Sequence, residues 1–337
     1  MPVAMKMLNR LDLGVPCLRA GFAGEQAFFL AMDGRLHVQH GDRRRVVALH
    51  DGDVLSACAA PGEPGAACWL LSAGEDGRVM RAGAGEPDCV ASVPNKWVTA
   101  LAVAADGALA YASGRTVWQA GRDGEPPALP QERPVQALRF SHGGRWLAVA
   151  GYDGLALYDR QAGGEPQRLS WKGMPTRVAF SPDDRFVLVA TRDAVLHGWR
   201  LDTLRHFRMV GYPRAVGSWS WLAGGQWLVT DGSAGAVLWP FEGEEGPIGS
   251  TPLALGERPD GEVSAVACHP ARPWVAVGYA DGLMVLESTD GALRRILGQA
   301  GRDRVACLAW DRAGARLAYG TPSGACGVIG ADMGEEG

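Results

Sequence analysis

VQALRFSHGGRWLAVAGYDGLALYDRQAGGEPQRLS, residues 135–170, decides the fold. It holds four apolar runs, VQALRF, RWLAVAG, LALYD and the weaker QRLS, separated by turn-forming residues. Asp153-Gly154 stands between the second and third runs. Asp and Gly tolerate the positive φ of a tight hairpin turn, so the runs flanking them read as adjacent antiparallel strands. One such stretch predicts a four-stranded antiparallel unit of about 40 residues.

The unit recurs. Runs resembling V-x-A-L-x-F begin at Val15, Val54, Val98, Val135, Pro175, Val216, Val263 and Val305, at intervals of 37 to 47 residues. A second anchor, the polar turn, falls at Asp33-Gly34, Asp76-Gly77, Ser113-Gly114, Asp153-Gly154, Asp193-Ala194, Ala234-Gly235, Asp281-Gly282 and Ser323-Gly324. It lies 18 residues after the run start in six of the eight repeats. In the second repeat, extra residues around Pro61–Ala66 lengthen that offset; the third repeat is shorter. Trp146, Trp227 and Trp274 each stand 11 residues after their anchors, and Trp69 stands 15 after, which places the insertion between the first two strands. A blade of this kind is apolar on both faces and buries them only by stacking against neighbours. The expected fold is therefore all-β: a closed β-propeller, eight four-stranded blades, one domain over residues 1–331. Two β-sandwiches are the competing architecture, but they would not keep one offset along the chain.

Thr176–Asp184 (TRVAFSPDD) and, more loosely, Gln136–Gly144 (QALRFSHGG) resemble the blade opening of the WD40 family, and Tyr158-Asp159 resembles its terminal Trp-Asp. Trp239 and Trp118 occupy the same terminal position. The resemblance implies a WD40-type propeller. It departs from the family at the Gly-His dipeptide, where only His50 remains after Leu49, so the family's His–Ser–Trp–Asp network is complete in few or none of these blades. The last repeat has only three strands, whereas Val3–Leu11 has no blade of its own. A sheet edge needs a partner, so the N-terminal segment is expected to supply the missing fourth strand. The acidic tail, residues 332–337, is expected to be disordered.

Composition narrows the function. Net charge is −4 and the pI is near 6.0, whereas nucleic-acid binding calls for a basic excess. The longest apolar runs are too short for a membrane span, and no signal-peptide pattern opens the chain. Seven cysteines without a C-x-x-C pair fit free thiols in a reducing cytoplasm. The expectation is a cytoplasmic monomer that binds neither nucleic acid nor membrane.

No catalytic motif is present: no G-x-S-x-G, no phosphate loop and no H-E-x-x-H. The third and fifth positions of the first strands carry mostly Ala, Ser and Cys and no carboxylate, so the expected protein is no enzyme and uses no cofactor. Arg19, Arg139 and Arg177 are the exceptions there, as candidates for a channel anion site or for structural ion pairs. Cys268-His269, with Cys17, Cys58 and Cys307, raises a zinc site, but first strands of different blades stand too far apart for ligands to converge at about 2.3 Å; no metal is expected.

Loops leading into the first strands and the Asp-Gly turns share one face. Blades three to six would present Lys96, Trp97, Arg133, Tyr152, Trp171, Lys172, Arg192, Tyr212 and Arg214 on it. Aromatic and basic side chains are enriched at interaction hot spots. The leading functional expectation is a scaffold that binds a protein or peptide partner, an acidic one by charge, with Trp97, Arg133, Tyr152, Trp171, Lys172, Arg192, Tyr212 and Arg214 as contacts. The alternative is an enzyme or small-anion binder using the channel arginines.

Overall fold

The computed structural model describes residues 4–60, 69–83, 85–120 and 127–332. The Pro61–Ala66 insertion and the tail after Asp332 lie outside the described residues. The described strands form eight four-stranded antiparallel sheets, the architecture of an eight-bladed β-propeller. Seven blades each use four consecutive strands. Blade 4, for example, is β14 (Val135–Phe140), β15 (Trp146–Gly151), β16 (Gly154–Asp159) and β17 (Gln167–Ser170).

The eighth blade is completed as the unpaired N-terminal segment required. β1 (Ala4–Asp12) runs antiparallel to β32 (Ala325–Asp332), giving the order β1-β32-β31-β30, with β30 at Cys307–Trp310 and β31 at Arg316–Gly320. The pairing slips by one residue between Met7 and Asn9, and the Asn9 carboxamide oxygen accepts the Val328 amide at 2.9 Å. A side chain thus keeps a ladder donor satisfied where the backbone register breaks.

The blades group into two compact units, residues 48–215 and residues 1–47 with 216–337. In the first, blades 2 to 5 pack in succession. Cys58, Leu71, Val79, Leu101 and Tyr111 fill the space between blades 2 and 3. Leu138, Phe140, Leu147 and Val149 cluster with Ala102 and Ala110 between blades 3 and 4. Leu155, Leu157, Val178, Phe180 and Val187 do the same between blades 4 and 5. In the second unit, equivalent clusters join blade 6 to 7, 7 to 8, and 8 to 1. Small residues on the inner strands, such as Ala100, Ala102, Ala265 and Ala267, are buried and let successive sheets approach.

The polar turns are tied to the loop that enters the next blade. The turn carbonyls of Gly77, Gly114, Gly282 and Gly324 accept the amides of Val93, Val135, Ala300 and Leu13 at 2.8, 2.8, 2.9 and 3.0 Å. The last of these joins blade 8 to the segment that leads into blade 1. Glycine is needed here twice over. At Gly77 φ is +76°, and an added Cβ would come within 2.4 Å of the Val93 carbonyl oxygen and 2.6 Å of that of Lys96.

Two measurements test this account. Deleting residues 2–11 strips β1 from β32 and uncovers buried Val328 and Ile329; thermal melting should drop and light scattering should report aggregation, whereas unchanged melting would mean β1 adds nothing. Gly77→Ala should lose about 1–3 kcal/mol in urea unfolding. Gly163→Ala, at φ +67° with nothing within 4 Å, should lose only the left-handed strain of about 1 kcal/mol.

Candidate functional site

Blade 2 shows what the loop–turn junction uses when its polar residues are present. His50 Nδ1 meets Asp76 Oδ1 at 3.0 Å and its Nε2 meets Ser72 Oγ at 2.8 Å. Burial alone would raise the Asp76 pKa. Hydrogen bonds from the Arg78 amide, His50, the Arg78 guanidinium and the Asp51 amide outweigh it and hold that carboxyl down at about 2. Three members of the family's network are therefore formed in this blade. Its third strand, Arg78–Ala82, has no tryptophan to add.

Blade 5 carries Trp171 at the matching place, four residues before its first strand as His50 is before Val54, and a valine, Val189, where Ser72 stands. The indole N–H of Trp171 has no hydrogen-bond partner. Trp171 is only 7 % exposed and belongs to the core between blades 4 and 5. Its ring lies 5.3 Å from Trp199 and 5.8 Å from His197, and His206 stacks on His197 at 5.2 Å. The sheet pleat explains the pile. His197 and Trp199 alternate onto one face of β20 (Leu196–Arg200), opposite Arg208 and His206 on β21 (His206–Met209). His197 Nδ1 and His206 Nε2 are 3.0 Å apart, so one neutral ring donates and the other accepts. Burial, then the His206 charge, depresses the His197 pKa to about 4.

Two pockets open at this end of blades 4 and 5, and they share Ser170. The larger, about 450 Å³, is lined by Trp171, Lys172, Asp193, His197, His206 and Arg208. The smaller, about 220 Å³, takes in Arg133, Tyr152, Asp153 and Arg168, with Arg168 paired to Glu132 at 3.4 Å. Two bonds tie the turn of blade 4 to the loop into blade 5 beside them: the Asp153 amide donates to the Gly173 carbonyl at 3.2 Å, and the Asp153 carboxylate Oδ1 accepts the Gly173 amide at 3.1 Å.

The expected contact residues divide by burial. Trp97 and Tyr152 are 59 % and 51 % exposed, and Arg133, Lys172, Arg192 and Arg214 are also exposed. Arg133 and Tyr152 meet in the smaller pocket. Trp171 and Tyr212 correct the sequence expectation: both are buried. Loop residues they are, but Trp171 takes the inward position of a network histidine. Arg168, His197, His206 and Arg208 were missed because outer strands carry the weakest repeat signal. Period-two alternation groups His197 with Trp199 in LHGWR, residues 196–200, and His206 with Arg208 in HFRM, residues 206–209, and the register of the hairpin then sets the two pairs on one face.

The inner-strand arginines fall in different places. Arg139 and Arg177 are exposed on the first strands of blades 4 and 5, and Arg19 is half-buried in blade 1; none of the three lacks an interaction partner. Cys268-His269 is held by its surroundings. His269 Nε2 donates to the Gly314 carbonyl at 3.2 Å, and Nδ1 accepts the Ala271 and Arg272 amides at 3.1 and 3.0 Å. Burial pushes the Cys268 thiol up to about 12 against a hydrogen bond with Ser220. Among the described residues, no three His, Cys, Asp or Glu side chains are arranged to hold a metal ion.

Residues 129–157, the end of blade 3 and most of blade 4, match the family model described as WD domain, G-beta repeat. One blade thus carries a recognised WD40 repeat, within a β-propeller of eight four-stranded blades. Among curated proteins there is no match to its sequence. Propellers of the WD40 type are generally protein-interaction scaffolds, and they are typically non-enzymatic.

The buried histidine pair generates a pH prediction. The His197 pKa is about 4 folded and about 6.5 unfolded, so the unfolded chain binds more protons between these values. Its contribution to stability is complete above about pH 6.5 and is lost as pH falls towards 4. Thermal melting from pH 7 to 4 should show this fall, and His197→Phe should flatten it. An unchanged slope would mean the pair is not coupled to folding.

Proposed function

We propose that this WD40-type propeller is a non-catalytic scaffold, and that an acidic peptide segment of a protein partner docks across the loop ends of blades 3 to 5. One observation carries the proposal: exposed Tyr152 and the cations Arg133, Lys172 and Arg208 surround two pockets that share a wall. Large aromatic and Arg side chains are what interface anchors are made of. The pockets give such a peptide concave places for its side chains, and Lys172 and Arg208 offer donors to a carboxylate. Trp97 extends the exposed aromatic surface on the loop into blade 3. Asp153 and Asp193 lie in the same pockets and would repel carboxylates set against them, so the acidic side chains must fall on the side of Arg133, Lys172 and Arg208.

The partner would act in the cytoplasm, consistent with a cysteine-bearing chain without C-x-x-C pairs. Rim charges of this sort act mainly on association rate and selectivity, so binding should weaken with salt.

The test uses a fluorescein-labelled Glu-rich peptide and a Lys-rich control, followed by anisotropy at low and physiological salt. The Glu-rich peptide should bind and the control should not. Tyr152→Ala and Lys172→Glu should each weaken binding tenfold or more, about 1.4 kcal/mol, with melting unchanged. Trp171→Ala should lower melting instead, by the 3–5 kcal/mol typical of removing a buried tryptophan. Peptide binding insensitive to both surface variants would move the site away from this face; loss of binding in an Arg139→Ala, Arg177→Ala variant would favour the inner strands.

A further inference from the structure

Three thiols from distant parts of the chain meet where blade 8 packs on blade 1. Cys307, Gly320 and Cys326 form one cross-strand row on β30, β31 and β32: Cys307 pairs with Gly320, and Gly320 pairs with Cys326. Residues in such a row point to the same sheet face. The middle place has no side chain, and Cys17, at the start of β2 (Cys17–Ala23), fills it. A Cβ at Gly320 would lie 2.4 Å from Cys17 Sγ, 2.8 Å from Cys17 Cβ and 3.0 Å from Cys307 Sγ. The Cys17 amide is anchored to the Thr321 carbonyl at 3.0 Å. Cys17 interacts through its thiol with both Cys307 and Cys326, and all three are unbridged.

We propose that Cys17 and Cys307 are an oxidation site that forms a disulfide and so fastens the first inner strand of the chain to its last blade. The row sets the pairing. Cys307 and Cys326 are two strands apart, about 9.5 Å between Cα atoms, beyond the roughly 7 Å limit for a disulfide. They cannot bridge each other, so Cys17 must be one half of any bridge. Cys326 is fully buried, whereas Cys307 is half-buried and so is the thiol an oxidant reaches first. A hydrogen bond from Cys17 lowers the Cys307 pKa against burial, helped by the Arg19 charge, while the same contact raises that of Cys17. Cys307 is therefore the thiol that gives up its proton more readily, and Cys17 the resolving thiol.

Hydrogen peroxide is the oxidant. The Cys307 thiolate attacks one peroxide oxygen; an S–O bond forms, the O–O bond breaks, and hydroxide leaves to take up the proton that Cys307 gave up. The Cys17 sulfur then attacks the sulfenic sulfur. The S–S bond forms, the S–O bond breaks, and the Cys17 proton departs with the oxygen as water. Two thiols are oxidised by two electrons in all, and one peroxide is reduced to two waters. A thiol reductant reverses the change.

The experiment treats the full chain with a few equivalents of hydrogen peroxide, blocks remaining thiols with N-ethylmaleimide, and maps non-reduced peptides by mass spectrometry. A Cys17–Cys307 cross-linked peptide should appear and vanish with dithiothreitol. The oxidised protein should melt several degrees higher, since the bridge closes a very long loop. Cys326→Ser should keep the cross-link, and Cys17→Ser should lose both the link and the melting shift. The wild-type map decides even if a variant fails to fold. A bridge to Cys326, or peroxide modification confined to exposed Cys89 with no bridge at Cys17, overturns the proposal.

Discussion

The rest of the structure depends on one backbone hydrogen bond, made again at blade after blade: the carbonyl of a polar turn accepts an amide from the loop entering the next blade. Gly77 to Val93, Gly114 to Val135, Gly282 to Ala300 and Gly324 to Leu13 are four instances. At Gly77, Gly282 and Gly324 the backbone comes so close that a Cβ has no room, and all four turn glycines are left-handed. It also fixes where each loop enters, and hence how each inner strand lies on its neighbour. Because main chain meets main chain, some side chains of these loops are left free of the packing, although His50 and Trp171 are not. Trp97 and Lys172 are exposed on such loops, and Tyr152 on the polar turn of blade 4.

In blade 5 an apolar device replaces a polar one. In blade 2 a histidine, a serine and an aspartate satisfy one another. Blade 5 has Trp171 and Val189 in the first two places, and its stability at that junction comes from ring packing with His197, Trp199 and His206. A large indole occupies more of the junction than an imidazole and leaves Asp193 facing solvent beside Lys172. The pocket lies at that exchange. Its aromatic floor is buried and structural, whereas its charged rim is accessible, so floor and rim answer to different constraints.

Closure gathers constraints at the join of blades 8 and 1. Arg316 reaches the carbonyls of Glu25 at 2.7 Å and Gly24 at 3.4 Å, its guanidinium lies over the Phe22 ring at 4.8 Å, and the Cys17 and Leu13 amides bond to blade 8. Segments nearly 300 residues apart in sequence meet here. The loop-closure cost is therefore largest at this join, and many small contacts offset it. Gly320 has a part in the same economy of space: without its side chain, Cys17 sits flat on the blade.

By itself the sequence determined the number of blades, the place of their turns and the origin of the last strand. Those features come from period-two alternation, Asp-Gly chemistry and the need to pair an edge, all of which act within about 40 residues and repeat. It also separated Tyr152 and Trp97 from the packing tryptophans. It did not separate Trp171, because a loop position says nothing about whether a ring turns inward. Nor did it show that Trp199 is the terminal tryptophan of blade 5: one extra residue, with Ala194 at φ +60°, shifts it out of the common spacing, and only its pairing with Val187 puts it in line with Tyr158 opposite Leu147. Only the tertiary structure joined Cys17 to Cys307 and Cys326, or His197 and Arg208 to Lys172. Those neighbours are set by strand register and by the packing of one sheet on the next, and a single residue of slip moves every side chain to the opposite face.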